Sequence, residues 1–184
     1  MQFCLPAGGV RLGAVDELCR RAGAEAATAL KLPEDHSVSL LQSDSRSGPL
    51  VRGYLRGALD VVARIDCGQG GRYFVIDYKS THLGSSTEDY TPQRLLCDML
   101  DPAHRYDLQY MLYTLALYRH LCLRRRLRRG MQARSFYEDQ IGGVLYLYLR
   151  GLQAEQPEHG IFRTCVDFEL LNELDQLCSG TGET

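Results

Sequence analysis

The order of patterns along the chain predicts a mixed α/β domain. Three observations carry that expectation. Two strand-like runs, 54–65 and 72–79, flank the turn Cys67-Gly-Gln-Gly-Gly71 and read as a hairpin. The segment 104–129 is a long helical stretch rich in Leu and Tyr. The run from Ile141 to Leu149 is almost continuously apolar, as expected of a strand covered on both faces.

The elements follow in order. Residues 1–6 read as a short strand stopped by Pro6 and the Gly8-Gly9 pair. Apolar spacing and an Ala-rich stretch predict a helix from Leu12 to Leu30, ending before Pro33. Residues 33–50 are polar and turn-rich and read as a surface loop. After the hairpin, 80–103 carries Gly84, a Ser85-Ser86-Thr87 run and two prolines, and reads as a long loop. Gly130 is placed as the C-cap of the long helix. The spacing of Leu170, Leu171, Leu174 and Leu177 predicts a last helix over 167–178.

Composition limits the class of protein. The 184 residues are 45% hydrophobic and 24% charged, enough for one core and unlike a disordered or rod-like chain. Lys+Arg number 21 against Asp+Glu 23, a net charge of −2, which on bulk charge argues against a nucleic-acid binder. The longest uncharged apolar run, Leu108 to Tyr118, is too short to span a bilayer, and the N-terminus has no leader pattern. Cysteines at 4, 19, 67, 97, 122, 165 and 178 are odd in number and scattered, which fits reduced thiols in a cytoplasmic protein rather than a disulfide or Cys-rich metal site.

Chemistry concentrates on the hairpin. Asp77 and Lys79 are two apart on a strand and share a face, with Tyr78 on the other. Asp60 lies on the preceding run, and the out-and-back path between 60 and 77 brings the two aspartates together at the border of a core. Two such carboxylates repel and are stabilised by a divalent cation. Oxygen-only ligands favour Mg²⁺, with Mn²⁺ as an alternative. A lysine beside that ion suits orientation of water and neutralisation of charge on a phosphate. The plainer alternative is an ion pair of Asp77 with Lys79 or Arg64.

The stretches Gly57-Ala-Leu-Asp60-Val-Val, Tyr73-Phe-Val-Ile-Asp77-Tyr78-Lys79-Ser80 and Leu83-Gly84 resemble the signature of the PD-(D/E)XK nucleases. Together with Tyr90-Thr-Pro-Gln, His104 to Leu117 and Gly142 to Gly151, they are similar to the RecB-type nuclease domains of that superfamily. The resemblance is strong over about 50–165 and implies a restriction-endonuclease-like mixed sheet flanked by helices, as a single nuclease domain over 1–184. It implies a Mg²⁺-dependent exodeoxyribonuclease, with Asp60, Asp77 and the main-chain carbonyl of Tyr78 as metal ligands and Lys79 positioning the nucleophilic water. Gln109 and Tyr113, i and i+4 on one helix face, are the implied supporting pair, with core packing an equal reading of Tyr113. The implied partners are single-stranded DNA ends, a helicase motor and the other subunits of a RecBCD-like complex, in bacterial double-strand-break repair and degradation of linear DNA.

The family pattern also has a metal-ligating histidine on a helix ahead of the first core strand. That helix would precede Met1, so the chain is expected to be N-terminally truncated, and His36, His82 and His104 do not match the position. A DNA- or protein-interaction module with weak or no catalysis is therefore the alternative function. No Gly-x-x-x-x-Gly-Lys-Ser/Thr is present, so no ATP site is expected. The basic run Arg124 to Arg129 suits either phosphate contact or a solvated helix end. Arg46, Arg52, Arg56 and Arg94 are equal candidates to line a DNA channel. The near-neutral charge predicts weak intrinsic affinity for DNA.

Overall fold

Val61 and Ile76 face each other across an antiparallel pair, and that pairing organises the site end of the protein in the computed structural model. The structure describes residues 1–30, 48–66, 68, 70–127 and 131–180. Among these, four strands form a mixed sheet in the order β3 (Val61–Asp66), β4 (Gly71–Lys79), β5 (Ile141–Tyr148) and β6 (Ile161–Thr164). β4 and β5 run parallel; the outer pairings are antiparallel. A parallel neighbour needs a long crossover, supplied here by α2 (Pro92–Met99), α3 (Tyr106–Arg125) and α4 (Met131–Gln140). A separate two-stranded ribbon pairs β1 (Gln2–Arg11) with β2 (Leu50–Ala58). Helices α1 (Leu12–Ala29) and α5 (Phe168–Ser179) complete the fold, and α5 packs on both β1 and α1. The described fold is thus α/β, a mixed sheet flanked by helices.

The interior strand β5 is buried along nearly its whole length, in keeping with its apolar run. Its start is bulged: Tyr73 pairs with Ile141 and Phe74 with Gly143, skipping Gly142. A Cβ on Gly142 would sit 2.2 Å from the ring of Phe74, and Gly143, at φ +109, would place one 2.2 Å from the carbonyl of Thr164. Only glycine satisfies both positions. The core then runs through Val75, Met111, Leu115, Leu117, Phe162, Leu171 and Leu174.

Several sequence expectations require correction. The first strand does not stop at Pro6 but continues to Arg11. Met1 and Leu59 exchange both main-chain bonds at 2.8 Å; the alternation of an antiparallel ladder then puts Pro6 at a non-hydrogen-bonded position, where its missing N–H costs nothing. A bulge between Gly8 and Val10 absorbs Gly9. The run 54–65 is two strands, because the chain changes sheet at Leu59-Asp60: β2 pairs with β1 and β3 with β4. The supposed loop 80–103 contains a single 3₁₀ turn at Thr87–Tyr90 and the helix α2, which opens on Pro92 and buries Leu95, Leu96 and Met99. The long helix starts at Tyr106 and ends at Arg125, with Arg126 taking the left-handed C-cap at φ 55; Gly130 lies outside the described residues, as do His36 and most of the loop 33–50. Helix α4 and strand β6 add to the expected set, and the last helix runs Phe168–Ser179, capped by the Asp167 side chain, which accepts from the Glu169 N–H at 2.7 Å.

Candidate functional site

Asp77 and Lys79 project from the end of β4 into the protein and are 4% and 9% exposed, whereas Tyr78 between them is 49% exposed. Strand alternation produces this: the apolar Phe74 and Val75 anchor the strand, and its last turns of pleat carry charge to the edge of the core. The Lys79 Nζ lies 2.8 Å from the Asp77 Oδ2. The plainer reading of the sequence, an Asp77–Lys79 ion pair, is therefore present, but as a buried pair beside other polar groups and not as a surface pair.

Those groups come from α3 and β5. Lys79 donates to the Gln109 Oε1 at 2.9 Å, and the Gln109 Nε2 donates to the Tyr113 hydroxyl at 3.0 Å. The Tyr146 hydroxyl donates to the same Gln109 Oε1 at 3.1 Å. The ammonium lies 3.9 Å from the centroid of Tyr106 and 4.9 Å from that of Tyr146, so two aromatic faces stabilise its charge. Gln109 and Tyr113 meet because residues four apart share a helix face. Tyr113 also packs edge-on against Phe3 of the ribbon, centroids 5.9 Å apart.

Asp60 occupies the corner between the two sheets and is exposed. Extending the β3–β4 register one step beyond Val61–Ile76 sets it opposite Asp77, and its Oδ2 accepts from the Tyr78 N–H at 3.4 Å. A strand residue directs its N–H and C=O to the same side, so the Tyr78 carbonyl also faces Asp60, while the Lys79 carbonyl accepts from Leu149 on the β5 side. Burial raises the Asp77 carboxyl above the usual aspartate range; Lys79 opposes that shift and the charge of Asp60 adds to it. Burial, then the charges of Asp77 and Asp60, raise the Tyr113 hydroxyl, and burial followed by Asp77 does the same for Tyr146. Two mutually repelling carboxylates and a carbonyl turned to the same side form a hard-oxygen donor set that fits Mg²⁺, an ion that keeps several of its waters.

Among the described residues, no third His, Cys, Asp or Glu forms a metal-holding group with this pair. His82 is exposed on the segment after β4. His104 is held elsewhere, its Nδ1 2.8 Å from the Asp98 Oδ1 and its ring stacked on Tyr106. Asp98 also accepts from the Tyr148 hydroxyl at 2.6 Å. The six described cysteines are free thiols spread over the fold.

Sequence reasoning missed Tyr106, Tyr146 and the Asp98–Tyr148 pair. Tyr146 and Tyr148 alternate on one face of an otherwise aliphatic strand, a signal in itself, but linking Tyr146 to the site requires the Asp77–Tyr146 register, which follows only from β5 lying beside β4. Arg150 sits just beyond β5, its Nε donating to the Ser80 carbonyl at 3.2 Å. No helix among the described residues is long and apolar enough to cross a membrane.

No protein-family model matches the chain. Curated proteins do. The RecBCD enzyme subunit RecB of Escherichia coli is 45% identical over 130 residues, 71% of this chain and 10% of that protein. The subunit of the same name from Haemophilus influenzae is 38% identical over 135 residues, 73% of this chain and 10% of its own length. That from Mycobacterium tuberculosis is 45% identical over 102 residues, 55% of this chain and 8% of the relative. The chain therefore spans about a tenth of the length of the curated relatives it matches. Through 30–45% identity over most of its residues, the chain belongs with these proteins as a RecB-related domain.

Proposed function

We propose that this chain is a metal-dependent DNA nuclease domain of the PD-(D/E)XK type, hydrolysing phosphodiester bonds of linear DNA in double-strand-break repair. One observation carries the reading: a buried Asp77–Lys79 pair at the end of β4 stands beside Asp60, so acid, acid and base converge at one sheet corner. The similarity to RecB subunits supports it.

Asp60, Asp77 and the Tyr78 carbonyl would hold Mg²⁺, or Mn²⁺ in its place. When bound, the ion supplies an acidified water and a counter-charge for the scissile phosphate. Lys79, held by Gln109 and the Tyr106 and Tyr146 faces, directs its ammonium at the water and the developing phosphate charge. Tyr113 fixes the rotamer of Gln109, and so acts through it. The substrate is the single-stranded end of linear DNA, delivered by a helicase motor within a RecBCD-like assembly.

Incubation with linear single-stranded DNA and Mg²⁺ tests the assignment. The wild-type chain is expected to release nucleotides, and Asp77→Ala or Lys79→Ala to lose at least ~100-fold in rate. Equal cleavage by all three would sink the roles given to these residues.

A second reading is favoured by one observation, the lack of a third His, Cys, Asp or Glu beside the aspartates among the described residues. The chain would then bind DNA or a recombination partner without cutting it. Calorimetric titration with Mn²⁺ separates the two: heat of binding accompanied by cleavage belongs to the nuclease, and neither belongs to the module.

A further inference from the structure

We infer that the outward face of β2 is a platform for the single-stranded DNA entering this site, with Tyr54 stacking on a base and Arg52 and Arg56 meeting the flanking phosphates. The inference rests on the nuclease reading and names how that site takes its substrate.

The face follows from strand alternation. Residues 51, 55 and 57 turn inward and are half-buried, which leaves Arg52, Tyr54 and Arg56 side by side on the other face of the ribbon. Tyr54 is 73% exposed, far more than any other tyrosine among the exposed large side chains. An aromatic ring left in water at mid-strand has no role in packing. Arg52 and Arg56 make no ion pair among the described residues. In contrast, Arg21, Arg105, Arg119 and Arg134 are paired with Glu173, Asp16, Asp175 and Glu138.

Opposite them, the register places only Gly8, Pro6 and Cys4, so the surface around the ring is flat and low. Two unneutralised guanidinium groups flanking an exposed ring, on a flat floor, match a strand whose phosphates alternate with bases; stacking tolerates any base, and the charges track the backbone.

Continuity with the site identifies the occupant as substrate. β2 leads through Ala58 and Leu59 to the corner at Asp60, so along the chain Arg56 lies within about 14 Å and Tyr54 within about 21 Å of that residue. That is a reach of a few nucleotides. The ribbon is also tied to the site from beneath: the Phe3 ring covers Gly57, where a Cβ would come within 2.4 Å of it, and packs on Tyr113. Of the three described arginines that the sequence could not rank, Arg52 and Arg56 share the face of Tyr54, whereas Arg94 is on α2; Arg46 lies outside the described residues.

Fluorescence anisotropy with labelled oligothymidylate, in EDTA so that no bond is cut, tests the platform independently of catalysis. Tyr54→Ala is expected to weaken binding at least ~5-fold, and Tyr54→Trp to retain it. Arg52→Ala/Arg56→Ala is expected to lower the slope of log affinity against log salt by about 1.4. The Tyr54→Ala loss should vanish on an oligonucleotide with abasic sites. Binding in EDTA and cleavage in Mg²⁺ are separate readouts, so a failure of the nuclease assignment appears in cleavage and leaves this titration unchanged. Thermal melting confirms that each variant is folded. Unchanged affinity and salt slope in these variants, or no measurable binding by the wild-type chain, overturns the platform and gives the face to a protein partner.

Discussion

The ammonium of Lys79 is held from several sides. It has one carboxylate, one amide oxygen and two ring faces around it. Removing it would strand Asp77, whose carboxyl burial already raises. A carboxyl raised in the folded state favours folding in acid, and that contribution is lost as pH rises through the folded value. Lys79→Met, melted in EDTA, should therefore cost about 3 kcal/mol at neutral pH, with the deficit shrinking as pH falls through the Asp77 value. A deficit constant with pH would show that the Asp77–Lys79 charge pair is not its source. Asp60, Asp77 and Lys79 were legible in the sequence, because strand alternation and the out-and-back path of the hairpin bring them together; Gln109 was reached only through the resemblance. Tyr106 and Tyr146 were not, because a tyrosine in an apolar run looks the same whether it fills the core or faces a lysine.

At the scale of elements, the hairpin and the central strand were readable from period and composition, while boundaries failed where tertiary pairing overrode local signals. Pro6 looked like a stop and is accommodated at a non-hydrogen-bonded position; the run 54–65 looked continuous and divides between two sheets at Asp60. That division matters, since it leaves the carboxylate at a corner free to face Asp77. The Gly142-Gly143 bulge sets the β4–β5 register and hence the Asp77–Tyr146 alignment. Gly143→Ala meets the Thr164 carbonyl and an unfavourable φ together, and should destabilise the chain by about 3 kcal/mol. Urea unfolding checks this; a midpoint equal to wild type would show that the bulge relaxes freely.

The whole molecule carries a net charge of −2, and part of its basic charge is engaged in ion pairs between helices. Arg119 with Asp175, Arg21 with Glu173 and Arg134 with Glu169 join α3, α1 and α4 to α5. Arginines that fasten helices do not attract phosphates at full strength. The isolated chain should therefore bind single-stranded DNA weakly, with Kd on the order of 10 μM at physiological salt. A nanomolar complex in the same anisotropy titration would contradict it. Weak binding suits the proposed delivery of the strand by a motor, and charge balance alone does not exclude DNA from a site where two of the acidic residues are proposed metal ligands.

The most direct test of the central claim is the single-turnover rate of cleavage of linear single-stranded DNA as a function of Mg²⁺ concentration, in the wild-type chain and in Asp60→Asn. Asp60 is exposed and bears little of the packing, so its substitution reads the proposed metal site and not the fold. Saturable Mg²⁺ activation is expected in the wild type and, in Asp60→Asn, a half-saturating concentration at least ~10-fold higher with a reduced maximal rate. Identical Mg²⁺ curves for the two proteins would contradict that claim.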